Sequence, residues 1–228
     1  VAALGQFRVS SLDKPQLDKE NDHHLRKVLR ARESEEVVVT NGNGSWALCL
    51  VTPHGLDRSS DVHSDPVPPE TTLYVTPLKG DRSEWAVAKA TEVGVSRIVP
   101  LLASQMVVKF KGEARDKILA RWRRIADEAT GQCRRTYDVV IDDPVKVSDV
   151  PSGVAVADFD GSGDWGNLTS VAIGPEGGWA NGEWEQSRRR VSLGPTVLRA
   201  ETAGVIAASL LSFQAGGWGF TLNELQSE

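Results

Sequence analysis

Apolar residues fall into two regimes along this chain. Up to about residue 65 they form short β-branched or alternating runs: VVVT (37–40) and SWALCLV (45–51) flank Asn41-Gly42-Asn43-Gly44, a strong hairpin signal. His24–Ala31 interrupts this pattern with Leu25, Val28 and Leu29 on one helical face, which predicts a short helix. SDPVPPE (64–70), with three prolines in seven residues, reads as a linker between a first domain, 1–68, and a second, 69–228.

Beyond the linker, strand and helix patterns alternate. TTLYVTPL (71–78) predicts a strand, Ser83–Val93 an amphipathic helix stopped by Gly94, and SRIVPLLAS (96–104) a strand. A long basic helix is expected over about 114–130, then strands at YDVVI (137–141), VAVADF (154–159) and VAI (171–173). An apolar helix over 203–215, stopped by Gly216-Gly217, closes the pattern. This alternation predicts an α/β domain with a mainly parallel sheet. No internal repeat or low-complexity tract interrupts it.

Two loops stand out. VAIGPEGGWANGEWE (171–185) ends an apolar run in Gly-Pro-Glu-Gly-Gly; Asn181 is then a plausible N-cap for a helix that Arg188, Arg189 and Arg190 close. LGPTVLRAETAG (193–204) repeats the theme, with Arg199 and Glu201 at a helix start. Open α/β sheets place ligands in such strand-to-helix loops, and clustered glycines let a backbone approach a ligand closely. On this reading a side chain at Gly177 would occupy ligand space.

Composition narrows the classes. Hydrophobic residues make up 40% of the 228 and charged residues 25%, ordinary for a soluble domain, and no apolar run approaches the length of a membrane span. The N-terminus has no signal-peptide pattern. Cys49 and Cys133, far apart and without CxxC spacing, argue against a zinc site or a disulfide framework and fit a reducing, cytoplasmic setting. The net charge is −5, yet residues 109–135 carry nine lysines and arginines against four acids, a candidate phosphate-contacting surface. GSGDWG (161–166) matches GxGxxG but runs on into loop and strand, so the dinucleotide mechanism fails. His23-His24 point about 100° apart on a helix and make a poor metal pair. No GxSxG-type turn supports a hydrolase.

HHLRKVLRAR (23–32), KATEVGVSRIVPL (89–101), IGPEGG (173–178) and LGPTVLRAETA (193–203) occur together, in this order, in one family. Over nearly its whole length the chain resembles the small-subunit ribosomal RNA methyltransferase E family of the SPOUT superfamily. The resemblance implies an α/β SPOUT methyltransferase domain with a trefoil knot over 69–228 and a PUA-like, RNA-binding β-barrel over 1–68. It implies a homodimer that uses S-adenosylmethionine to methylate N3 of a uridine in small-subunit (16S) rRNA, free or within the ribosomal subunit.

Carried over by position, Gly174, Pro175, Glu176, Gly177, Gly178, Leu193, Gly194, Leu198 and Thr202 would bind the cofactor. Arg199 would stabilise charge on the uracil, and Glu201 or Glu176 would take the N3 proton. Arg26, Lys27, Arg30, Lys79, Arg82, Arg123, Arg124, Arg134 and Arg135 would contact RNA; no metal is implied. Ser104-Gln105-Met106 and Glu128–Gln132 depart from the family pattern, on what reads as the RNA side. A SPOUT enzyme acting on tRNA and a non-catalytic PUA-like RNA-binding protein are the alternatives.

Overall fold

The computed structural model describes residues 3–216. The described chain forms two compact units, one running to Pro68 and taking in Thr130–Asp138, the other comprising Pro69–Ala129 and residues 139–216. Residues 217–228, including Gly217 of the expected final helix stop, lie outside the described residues.

The first unit holds a five-stranded sheet of β1 (Gln6–Arg8), β2 (Glu36–Thr40), β3 (Ser45–Thr52), β4 (Gly55–Arg58) and β5 (His63–Ser64). β2 and β3 form the expected hairpin around 41–44, while β1 joins β2 in parallel. Phe7, Leu25, Val37, Val39, Ala47, Cys49 and Val51 make the core. The predicted helix starts earlier than expected, as α1 (Lys19–His23), because Asp18 accepts the Asn21 backbone N–H at 2.7 Å. It then widens into a π-turn over His24–Val28, closed by Leu29 N–H on the His24 carbonyl at 2.9 Å. The wider turn keeps Leu25 buried and rotates Val28, expected on the buried face, out to solvent.

Thr130–Asp138 grips the hairpin of this unit. Gly44 N–H bonds the Thr136 carbonyl and Asp138 N–H the Gly42 carbonyl, each at 2.9 Å. Asp65 ties the same region together, accepting from the Thr136 hydroxyl at 2.6 Å and the Trp46 indole at 3.0 Å. Gly42 and Gly44 have positive φ, and a Cβ on either would collide with Asp138 or Tyr137. Hydrogen bonding thus takes a segment that the sequence assigns to the second domain and joins it to the first.

The second unit is built on a seven-stranded sheet in which every pairing is parallel. Its strands are β6 (Thr72–Val75), β7 (Arg97–Leu102), β8 (Val140–Ile141), β9 (Val145–Lys146), β10 (Ala155–Ser162), β11 (Ser170–Ile173) and β12 (Arg190–Val191). The order is β12–β10–β11–β6–β7–β8, with β9 also on β7. Side chains alternate between two cores. Leu73, Val75, Ile98, Val171 and Ile173 meet the helices α2 (Arg82–Glu92), α3 (Gly112–Gln132) and α4 (Ala200–Gln214). Tyr74, Val99, Leu101, Val156 and Ala172 meet Val147, Val150, Val154 and Trp184, which lie in short turns and loops. No helix among the described residues is long and apolar enough to cross a membrane.

Burial pushes the Cys49 thiol up to about 11, so it stays protonated at neutral pH, whereas Cys133 is half-buried. Alkylation of the native protein near pH 8 is expected to label Cys133 quickly and Cys49 only on unfolding. Peptide mapping showing equal early labelling of both would contradict this packing.

Candidate active site

Parallel pairing sends the carboxyl ends of β10, β11 and β12 to one edge of the sheet. There Ala157–Phe159, the loop after β11 (174–182) and the loop from β12 to α4 (192–199) line a cleft of about 910 Å³. Thr76, just after β6, anchors the edge by donating its hydroxyl to the Ile173 carbonyl at 3.2 Å.

Each glycine of Gly174-Pro175-Glu176-Gly177-Gly178 has its own physical reason. A Cβ on Gly174 would press on the Trp179 ring at 3.0 Å, and one on Gly177 would meet Gln105 Oε1 at 2.7 Å. Gly178 has φ +75 and open space around it, and its N–H closes the turn on the Pro175 carbonyl at 2.9 Å. The expected side chain in ligand space at Gly177 is therefore corrected: it would point at Gln105, and Gly177 does not line the cleft. Pro175 is buried, whereas Glu176 faces the cleft and pairs with Arg82 from the head of α2.

The helix expected from the N-cap Asn181 to Arg190 is absent; isolated turns stand in its place. Trp179 and Trp184 meet edge to face at 5.1 Å and fill the second core, with the Trp179 indole donating to the Ala157 carbonyl at 3.1 Å. Arg188 lies 5.2 Å over the Trp184 ring and donates to the Val150 and Pro151 carbonyls. Burying two indoles outweighs local helix propensity. Glu183, freed from a helix start, joins two loops by accepting the Ser104 N–H at 2.5 Å and the Ala180 N–H at 2.9 Å.

Across the cleft, Gly194 has φ +130 with nothing near its Cβ position. Leu193 and Leu198 are half-buried in the lining, and the Trp165 indole holds the loop by donating to the Ser192 carbonyl at 3.0 Å. Arg199 is the N-cap of α4 in extended conformation without a side-chain cap, so the N–H groups of the first turn have no capping side chain there. Its own side chain is exposed at the cleft. Glu201 and Thr202 follow in the first turn outside the cleft lining; Glu201 is 9% exposed, and its Oε2 has no hydrogen-bond partner among the described residues. GSGDWG begins inside β10, where a Cβ on Gly161 would collide with the Val191–Ser192 backbone, so its first glycine serves strand packing rather than opening a helix.

Residues 65–212 match the model of an RNA methyltransferase domain, and residues 17–55 that of an RNA methyltransferase PUA domain. A ribosomal RNA small subunit methyltransferase E from Mycobacterium bovis is 31% identical over 232 aligned positions, which cover 89% of this chain and 87% of that one. The chain belongs to the ribosomal RNA small subunit methyltransferase E family. The Bacillus subtilis member is 27% identical over 86% of this chain and 88% of its own. A Legionella pneumophila protein solved in complex with the cofactor SAM superposes with a TM-score of 0.78 at 25% identity, covering 93% and 98% of the two chains. The Neisseria gonorrhoeae family member, bound to S-adenosyl methionine, shares the fold at TM-score 0.76 and 24% identity, over 92% and 97% of the chains.

Every residue of the cleft falls within the family's methyltransferase domain. The residues expected to meet RNA fall in both units. Arg26 pairs with Asp22 at 2.8 Å and reaches the Thr52 carbonyl, while Lys27 and Arg30 are exposed. Arg123 pairs with Asp143 at 3.7 Å and Arg124 with Glu128 at 3.6 Å; Arg115, Lys117 and Arg121 likewise face Asp116, Glu113 and Glu84. Arg134 donates to the Ala3 carbonyl at 2.7 Å, and the Arg135 carbonyl accepts from the Gln6 amide at 2.5 Å, so both serve the first unit's packing. Burial lowers the pKa of the Arg135 guanidinium. Gln105 and Ser104, which read as RNA-side, touch the 174–183 loop instead. Asp158, Phe159 and Arg190 also line the cleft, with Arg190 paired to Asp158. No spacing rule marks these three, since the sheet order that joins them is not local.

Gly178→Ala is expected to destabilise the protein by about 1–2 kcal/mol through its left-handed φ. Gly177→Ala should cost less than about 1 kcal/mol, because Gln105 can swing its amide aside. Urea unfolding of both variants measures the difference, and equal losses would contradict the distinct roles of the two glycines.

Proposed function

We propose that this chain transfers a methyl group from S-adenosylmethionine to N3 of a uridine in small-subunit ribosomal RNA, with the chemistry in the cleft between residues 174–182 and 192–200. The observation that carries this reading is two glycine-bearing loops at parallel strand ends, converging beside a helix N-terminus that presents Arg199. The cleft fits the cofactor: Gly178 and Gly194 leave backbone open to a ligand, and Ala157, Ile173 and Leu198 offer apolar contact to a purine. When bound, S-adenosylmethionine supplies an electrophilic methyl on a sulfonium sulfur.

The chain's own task is then to hold the uracil and manage its proton. Uracil N3 carries a proton at neutral pH, so its removal leaves negative charge spread over the ring. Arg199, exposed at the cleft, offers a planar cation to that charge. Of the two carboxylates in the cleft lining, Asp158 is paired with Arg190 and Glu176 with Arg82; we assign the proton to Glu176, while Glu201 lies buried in the first turn of α4. Lys27, Arg30 and Lys79, exposed and without ion pairs among the described residues, are available for phosphates.

The same reading carries a SPOUT trefoil knot in the domain 69–228, a PUA-like barrel around β1–β5, and a homodimer. For the dimer, α4 presents Ile206 and Phe213 to solvent beside half-buried Val205, Ser209 and Leu210, a face without charge. Sedimentation equilibrium giving the mass of one chain would remove it.

Incubation with labelled S-adenosylmethionine and small-subunit rRNA, followed by nucleoside mass spectrometry, should yield N3-methyluridine. Label in tRNA alone would replace the substrate, and binding of both ligands without transfer would mark a non-catalytic RNA binder. In single-turnover reactions Arg199→Ala should be slower by roughly 100-fold, about 2.7 kcal/mol, with cofactor affinity little changed. Arg199→Lys should recover part of the rate. A normal rate with weakened cofactor binding would make Arg199 a cofactor ligand.

A further inference from the structure

A further cavity, of about 410 Å³, lies beside the turn that leads into α2. Part of its wall is apolar: Leu78 from the turn, Val108 from the segment after β7, and Ile118 and Trp122 from α3. Lys79 and Lys109 also line it, and neither forms an ion pair among the described residues, in contrast to Arg115, Lys117, Arg121, Arg123 and Arg124 of α3. The acid in the lining, Glu84, is paired with Arg121 at 2.5 Å. Val107 forms an apolar lip, 71% exposed.

Trp122 supplies the polar feature. It is 1% exposed, yet its indole N–H bonds to no described residue and is not among the side-chain polar atoms sealed from the surface. The remaining accessible part of this cavity-lining residue therefore includes the donor. A hydrocarbon chain in the cavity would leave that donor unpaired, which is costly. A flat ring with a carbonyl or ring-nitrogen acceptor would satisfy it, and an attached phosphate would meet the two lysines.

We propose that this cavity takes one nucleotide of the RNA, flanking the target base: the base lies against Leu78, Val108 and Ile118, Trp122 donates to an acceptor on the base, and Lys79 and Lys109 hold phosphates. The proposal rests on RNA being the substrate. It adds a second point of capture, beside the turn that leads into α2.

The test uses the full chain labelled with ¹⁵N-tryptophan, the Trp122 indole resonance being identified by its loss in Trp122→Phe. Uridine, cytidine, adenosine and guanosine 5′-monophosphates are titrated, with ribose 5-phosphate as control. At least one nucleotide should move the Trp122 resonance saturably, ribose 5-phosphate should not, and Lys79→Ala with Lys109→Ala should weaken the effect several-fold. In methylation of rRNA, Trp122→Phe should raise KM for RNA about two- to tenfold while kcat and S-adenosylmethionine affinity hold. The double lysine variant should lower the log–log salt slope of RNA binding by about 1.4. A Trp122 resonance unmoved by all four nucleotides, or an unchanged KM and salt slope, would overturn the proposal. Absence of rRNA methylation by the unaltered protein would count against the proposed substrate instead, and the nucleotide titration would still decide the cavity.

Discussion

The parallel pairing of β10, β11 and β12 is the constraint on which the site depends. Val156 sits opposite Ala172 on one side and Arg190 on the other, so three strands end at one edge pointing the same way. Their outgoing loops must then turn back over that edge, and the backbone of those loops becomes the wall of a cleft. Alternating burial fixes the register: Leu73, Ile98 and Val171 stand in a row on one face and Tyr74, Val99 and Ala172 on the other. A slip of one residue would exchange the two cores and move every loop at the edge.

This constraint explains the unusual stretch Gly174–Gly178. One glycine makes room for an indole, one for a glutamine amide, and one takes a backbone conformation that a side chain would strain. The lone acid among them is held by Arg82, which links the loop to the head of α2. Glu183 then bonds the backbone on both sides, at Ser104 and Ala180, so that the turn after β7 and the loop after β11 behave as one piece. A cleft made this way is set largely before any ligand enters, which lowers the ordering cost of binding.

Elements with strong periodicity were legible in the sequence. The hairpin around Asn41–Gly44, the helices over 82–92 and 112–132, and the parallel character of the second unit's sheet all follow from local pattern and turn chemistry. The losses have a common cause. The helix expected after Asn181 yields to burial of Trp179 and Trp184; Thr130–Asp138 joins the first unit through Asp65 and the backbone of the hairpin turn; the basic run on α3 is largely consumed by ion pairs. Each depends on partners distant in sequence, to which periodicity is blind. The two cleft loops could be read because glycine and proline declare their backbone requirements locally. Phe159, Asp158 and Arg190 could not, since only the sheet order brings them to the cleft.

The central claim is that the backbone-walled cleft is a methyl-donor site. Isothermal titration calorimetry of the full chain with S-adenosylmethionine, S-adenosylhomocysteine and NAD in parallel tests it most directly. Saturable binding of the first two at one site per chain, with no heat from NAD, is the predicted result. A folded protein that binds NAD and neither sulfur compound would contradict it.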